Sequence, residues 1–350
     1  MEPIKTAIAI PLSEETHVAA ARRATAEFCR RLNLSDPLIA RAELVAVELG
    51  GNILHHAQRG QLFIVPVPDR PSSVRLIASD AGPGIADPER AFEAGFSTHT
   101  TPGLGLGAVR KKSDALDLYT RRGAGTVVVA TLSDNPAYQD PLTAVLSTQF
   151  EGETRNGDSW AVYNLPGRRV WMVVDGLGHG EYAAQASALA ISVADRSFSA
   201  DPHLGIPALI QRMHVPMQAT RGAAVLMVVD TGRKLVCCGI GNISAVLCQP
   251  NGTSHNLVSH NGTVGHRMAR VQEFEYSYSP ESLLVLHSDG ISTRWRLSQY
   301  PGLFEKSPAA VAGVLYRDAV RSRDDATILV ARLSDTLDFV ADSHGESRLG

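Results

Sequence analysis

Asp80-Ala81-Gly82-Pro83-Gly84 follows the strand-like run Ser73 to Ser79 and turns it into a glycine-rich loop. A carboxylate at a strand end can accept from an exocyclic amine, and Gly82 and Gly84 let the backbone approach a flat base closely. Working outward, Glu48 and Asn52 stand four apart on a helix expected from Ser35-Asp36-Pro37 to about His56, so they share one face. Leu38, Ala42, Val45, Leu49 and Ile53 form its opposite, apolar stripe. An asparagine amide oxygen suits Mg²⁺ bound to a triphosphate, and a carboxylate one turn away can orient a nucleophile. Gly103, Gly105 and Gly107 precede a helix expected over 104–113, where amides and a helix N-terminus make an anion cradle. Strands are expected over 4–11, 61–67, 73–79, 116–120 and 126–132, and a helix over 14–32. Together these predict an α/β sandwich of helices on a mixed sheet.

In this order the motifs resemble the GHKL (Bergerat-fold) ATPase family, and within it the RsbT-like serine kinases of bacterial partner-switching modules. The resemblance implies Asn52 as Mg²⁺ ligand, Glu48 as general base and Asp80 as reader of adenine beside Gly82 and Gly84. It also implies Gly103, Gly105 and Gly107 on the phosphates and Thr126 near the adenine. His56 falls where relatives often carry histidine, and the stretch from Gly95 to Gly107 would be a short lid with Thr98, Thr100 and Thr101.

Ser133-Asp134-Asn135-Pro136 breaks the pattern, and 134–147 reads as a linker. Beyond it, strand-like runs dominate: 160–165, 170–175, 223–230, 235–240, 244–248, 282–287 and 327–333. Helices are expected over 182–197 and 308–321. This predicts a β-sandwich with helices outside. Asp158, Asp175, Asp289 and Asp324 or Asp325 each sit at the end or start of such a run. Gathered together, carboxylates raise one another's pKa unless cations lie between them, and two divalent metals can also supply a hydroxide for in-line attack on a phosphate.

Asp175-Gly176-Leu177-Gly178-His179-Gly180, Ser288-Asp289-Gly290 and Arg323-Asp324-Asp325-Ala326-Thr327 resemble the metal-dependent (PPM-type) protein serine/threonine phosphatases, in the branch of RsbX and SpoIIE. The resemblance implies Asp175 as the carboxylate bridging two Mn²⁺ or Mg²⁺ ions, with the Gly176 carbonyl beside it. Asp158, Asp289 and Asp324 would be further ligands, with Asp325 the alternative to Asp324. His179 is typical of the branch, and Arg221 is a candidate phosphate guide. Larger relatives carry an acidic pair where this chain has Asp158 alone, which puts one outer ligand in doubt.

The bulk composition fits two units: 350 residues, 44% hydrophobic, 20% charged. The resulting expectation is an α/β two-domain chain with a GHKL domain at 1–133, a linker at 134–147, a PPM domain at 148–334 and a polar tail at 335–350. A net charge of −3 gives no reason to expect nucleic acid or membrane as partner. No secretory segment is visible, so a cytoplasmic location is expected. Cys29, Cys237, Cys238 and Cys248 lack metal-ligand spacing and read as reduced core thiols. The two resemblances imply an ATP- and Mg²⁺-dependent kinase fused to a phosphoserine/phosphothreonine phosphatase, with STAS-domain antagonists or stressosome-type proteins as partners. The alternative is a phosphatase whose ATP-binding half only sequesters a partner or gates hydrolysis.

Overall fold

The computed structural model describes residues 4–88, 90–92, 105–232, 234–268 and 270–334. The first unit is one sheet in the order β1-β2-β3-β5-β4, from β1 (Ile8–Leu12), β2 (Gly60–Pro66), β3 (Ser73–Asp80), β4 (Ala115–Thr120) and β5 (Thr126–Ser133). Every neighbouring pair is antiparallel, so the sheet is not the mixed one expected. Helices α1 (Glu15–Arg31), α2 (Asp36–Ala57) and α3 (Gly105–Lys112) cover one face. Ser35 caps α2 by accepting from the Leu38 amide, with proline in the first turn.

The second unit holds two further antiparallel sheets. One has the order β13-β10-β9-β8-β7, from β7 (Asp158–Leu165), β8 (Arg168–Gly176), β9 (Ala223–Asp230), β10 (Lys234–Ile240) and β13 (Phe274–Ser277). The other has the order β12-β11-β14-β15-β6, from β6 (Thr143–Thr148), β11 (Ser244–Cys248), β12 (Ser254–Asn256), β14 (Leu283–His287) and β15 (Ala326–Arg332). The segment expected as a linker, 134–147, therefore contains most of β6, and the second unit begins at Thr143. Helices α4 (Glu181–Ala200) and α5 (Ile206–Met217) lie on the outer face of the first of these sheets. Sequence periodicity missed α5 because Pro207 and Pro216 punctuate it.

Strand alternation makes the layers. In β8, Trp171 and Val173 face the sandwich interior, while Val170, Met172 and Val174 face α4 and α5. In β15, Leu329 and Ala331 point into the sandwich, and Ile328 and Val330 point outward. That outward face is not solvated. It packs on α6 (Pro308–Ala319), and the far side of α6 packs on Phe63, Val65, Ile77, Val127 and Val129 of the first sheet. Helix α6 is thus enclosed between the two units, not outside them, and the sequence break near Ser133 does not separate their cores. The join is reinforced by Ala7 N to Ser147 O (2.7 Å) and Trp160 Nε1 to Lys5 O (2.9 Å). The fully buried Arg75 reaches out of β3 to Asp140 at 2.6 Å. All four cysteines are free and buried, as expected. Among the described residues no helix is long and apolar enough to cross a membrane.

Small residues let the sheets close on α6. A Cβ at Gly313 would lie 2.9 Å from Val127 Cγ1 and 3.1 Å from Ile77 Cγ2. Gly313→Val is expected to lower unfolding free energy by about 1–3 kcal/mol through overpacking. Denaturant unfolding checks this, with both units losing structure in one transition.

Candidate nucleotide and metal sites

The α2 stripe Leu38, Ala42, Val45, Leu49 and Ile53 is buried as expected, which turns Glu48 and Asn52 toward the start of α3. Burial raises the Glu48 pKa, and a hydrogen bond from the Gly105 backbone opposes the shift. Asn52 Nδ2 is buried with no partner among the described residues. An orphaned amide beside a carboxylate and a helix start fits a polar ligand with oxygens to offer. Gly105 and Gly107 open α3. Gly103, Thr98, Thr100 and Thr101 lie outside the described residues.

Asp80 ends β3 opposite Thr126 of β5. Its Oδ1 accepts from Gly82 N at 2.8 Å and Thr126 N at 3.2 Å, which locks the carboxylate and leaves Oδ2 without a hydrogen bond among the described residues. Burial raises the Asp80 pKa; those two amides oppose it, then the charges of Arg317 and His56. Gly84 has φ +74°, and a Cβ there would lie 2.1 Å from Arg121 O, so only glycine fits the turn. The Thr126 hydroxyl lies 3.0 Å from that of Thr120, which also accepts from Ile85 N. Thr120 escaped the sequence reading because nothing local marks it; the β4–β5 pairing brings it in.

In the second unit, β7–β8 pairing sets Asp158 directly opposite Asp175. Asp289 follows β14 and Asp324 precedes β15, so the strand ends of both sheets meet here. Ser288 Oγ donates to Asp158 Oδ2 at 2.6 Å, and Asn242 Nδ2 donates to Asp289 Oδ2 at 2.8 Å. Burial raises the Asp175 pKa, followed by repulsion from Asp158, Asp289, Asp324 and Asp325. Asp158, fully buried, is also raised, chiefly by desolvation. Gly176 is imposed by α4: a Cβ there would lie 2.1 Å from Ala183 O.

Asp324 and Asp325 differ in their surroundings. Asp325 is buried, and its two oxygens accept from Phe150 N (2.8 Å) and Gly157 N (2.9 Å). Asp324 accepts from Asp325 N and shares a field with Asp289 and His179. Asp325 therefore holds two loops together, while Asp324 accepts a backbone hydrogen bond only from its neighbour among the described residues. His179 Nδ1 sits 2.6 Å from Glu153 Oε1, with its ring 5.2 Å from that of Phe150. Glu153 carried no sequence signal. The Arg221 guanidinium stacks on Tyr182 at 5.0 Å, and Arg221 lines an open cleft with Leu177, Gly178, Thr220 and His266.

The carboxylates are grouped but not closed. Among the described residues no three His, Cys, Asp or Glu side chains form a ready ion cage. The all-oxygen donor set and the mutual repulsion fit hard divalent cations such as Mg²⁺ and Mn²⁺.

Two family matches divide the chain in the same order as these sites. Residues 11–132 match the histidine kinase-like ATPase domain, and residues 166–334 match the Stage II sporulation protein E (SpoIIE) family. The chain thus belongs to the histidine kinase-like ATPases through its first half, which is joined to a second half that matches the SpoIIE family. Among individual relatives, it is 34% identical over 122 residues to the serine/threonine-protein kinase RsbT of Bacillus subtilis (strain 168), covering 35% of this chain and 92% of RsbT. It is 24% identical over 197 residues to the phosphoserine phosphatase RsbX of the same organism, covering 55% of this chain and 94% of RsbX. A crystal structure of RsbX in complex with magnesium aligns with 55% of this chain and 94% of that one, at 22% identity and a TM-score of 0.47.

The raised carboxylates set a pH dependence. Asp158 and Asp175 hold protons in the folded, metal-free chain at pH values where the unfolded chain has released them. Stability then falls as pH rises above the ordinary carboxylate range, because the folded state binds more protons there. Thermal unfolding of the chelator-treated chain from pH 5 to pH 8 is expected to show a falling Tm, with saturating Mn²⁺ removing most of that slope.

Proposed function

We propose that the chain is a bifunctional partner-switching regulator: an ATP-dependent serine/threonine protein kinase joined to a metal-dependent phosphoserine/phosphothreonine phosphatase. One observation carries this reading. Two ordered sets of residues, each suited to one direction of phosphoryl chemistry, converge at separate strand ends of a single chain.

In the first half, Asp80 would accept from the adenine amine beside Gly82, Gly84 and Thr126, and Asn52 would hold Mg²⁺ with the triphosphate. Gly103, Gly105 and Gly107 would lie along the phosphates. Glu48 would take the proton of the attacking hydroxyl; its pKa, raised by burial, suits a base. In the second half, Asp175 would bridge two Mg²⁺ or Mn²⁺ ions, with Gly176, Asp158, Asp289 and Asp324 completing the donors. The metals would supply a nucleophilic hydroxide and neutralise the phosphate. Substrate segments would enter along the cleft lined by Leu177, Thr220, Arg221 and His266. RsbT and RsbX, by their names a serine/threonine kinase and a phosphoserine phosphatase, support the pairing of activities. STAS-domain antagonists or stressosome-type proteins are the proposed partners, the cytoplasm the proposed location, and 1–133 and 143–334 the proposed units.

A second reading, a phosphatase gated by nucleotide, is favoured by the shared burial of α6, which ties the two halves together.

The two activities are expected to separate. Asp175→Asn should lower phosphoserine hydrolysis by more than about 100-fold, beyond the loss from an outer-shell partner, and leave phosphoryl transfer from ATP in place. Glu48→Gln should lower transfer by about 100-fold or more and leave hydrolysis in place. Time courses of phosphorylation on a purified STAS-domain protein check both. Equal loss of both activities in either variant would reject two independent sites. Hydrolysis should also stop with chelator and return with Mn²⁺ or Mg²⁺; full activity of a chelator-treated sample would rule out the metal reading.

A further inference from the structure

The nucleotide site takes one side chain from the other half of the chain. Arg317 lies in the last turn of α6, and its Nη1 donates to the main-chain oxygen of Asp80 at 3.1 Å, across 237 residues of sequence. Two more of its donors are engaged. Nε and Nη2 both bind the carboxylate of Asp318, at 2.7 and 3.1 Å, so the guanidinium is aimed rather than free to swing. The side chain is 11% exposed, which removes most of the solvent competition for its bond to Asp80.

Asp80 is thereby gripped at three places. Gly125 backs its carbonyl so closely that a Cβ there would lie 2.0 Å from that oxygen. Arg317 holds the same oxygen, and the Gly82 and Thr126 amides hold Oδ1. What is left is Oδ2.

We propose that Arg317 is a positioning residue of the nucleotide site, fixing the Asp80 carboxylate that reads the 6-amino group of adenine, so that the site is complete only when both halves are assembled. This rests on the reading of Asp80 as the base-recognition group. The guanidinium acts in two ways. It holds the end of β3 in place, and its charge favours the ionised carboxylate against burial, the form that accepts from an amine. A bare interdomain strut would do neither selectively, and its loss would weaken every nucleotide alike.

The discriminating probe is a pair of ligands, ATP and ITP, alike in ribose and triphosphate but differing at C6, where ITP presents an oxo group in place of the amine. Calorimetric titration of the full-length chain with each, in Mg²⁺, is expected to show preference for ATP. Arg317→Gln should weaken ATP about fivefold to tenfold, the net worth of about one ordinary hydrogen bond, and change ITP by less than about twofold. Asp318→Asn keeps Arg317 but loosens its aim, at a position open to solvent; it should lower the ATP/ITP ratio by about twofold to threefold. Asp80→Asn should abolish the preference.

A wild-type chain that binds neither nucleotide would remove the adenine reading and this inference with it. A wild type that prefers ATP, with Asp80→Asn indifferent to the base, but an unchanged ratio in Arg317→Gln and Asp318→Asn, overturns the inference alone. So does equal weakening of ATP and ITP in Arg317→Gln. If Arg317→Gln does not fold, Asp318→Asn decides by the same ratio.

Discussion

Helix α6 has no solvent face from Pro308 to Tyr316, and the placement of both sites depends on that burial. One side of it fills the outer surface of the β12-β11-β14-β15-β6 sheet, and the other fills the surface of the first sheet that α1, α2 and α3 leave bare. A sheet with an apolar uncovered face is unstable alone in water, since each buried aliphatic side chain is worth about 1.5–3 kcal/mol. Here both faces lean on the same helix. Ala309, Ala310, Ala312 and Gly313 keep it thin enough for two sheets to share. The capping hydroxyl of Ser307 and Pro308 set its start, and the backbone amide of Ser307 bonds Asp117 of the first unit at 2.7 Å.

The two ends of the shared layer carry chemistry of opposite character. Around Asp80, amides hold Oδ1 and a guanidinium holds the carbonyl oxygen, a stiff frame that leaves Oδ2 open. Around Asp175 the carboxylates face one another with few compensating donors, a frame under repulsion that a cation relieves. The C-terminal end of α6 is tied to the second of these as well. Arg321 N donates to Gly290 O at 2.7 Å and Ser292 N to Ala319 O at 2.8 Å, on the loop that follows Asp289. A helix bonded at one turn to the Asp80 carbonyl and just beyond it to the Asp289 loop is a contiguous physical connection between the halves.

The motif residues were legible in the sequence because each depends on its immediate neighbours. Asp80 before Gly82 and Gly84, Glu48 one turn from Asn52, and Asp175 before Gly176 all announce a strand end or a helix face from spacing alone. The glycines were legible for the same reason, since a close approach or a left-handed turn excludes every larger residue, as at Gly84 and Gly176. Thr120 and Glu153 were not legible; each is an ordinary residue whose position comes from a strand pairing or a loop crossing.

The sequence by itself determined the order of elements, the two motif sets and the apolar alternation that makes each sheet two-faced. Only the tertiary structure decided what those faces meet. Periodicity says that Val127 and Val129 turn one way and Val128 and Ala130 the other, but it is silent on whether a helix 180 residues later covers the first pair. It is likewise silent on the Phe150 and Gly157 amides that bond the two oxygens of Asp325. The reason is physical: local spacing fixes direction along a strand or helix, whereas partners are chosen by burial and charge among segments far apart in the chain.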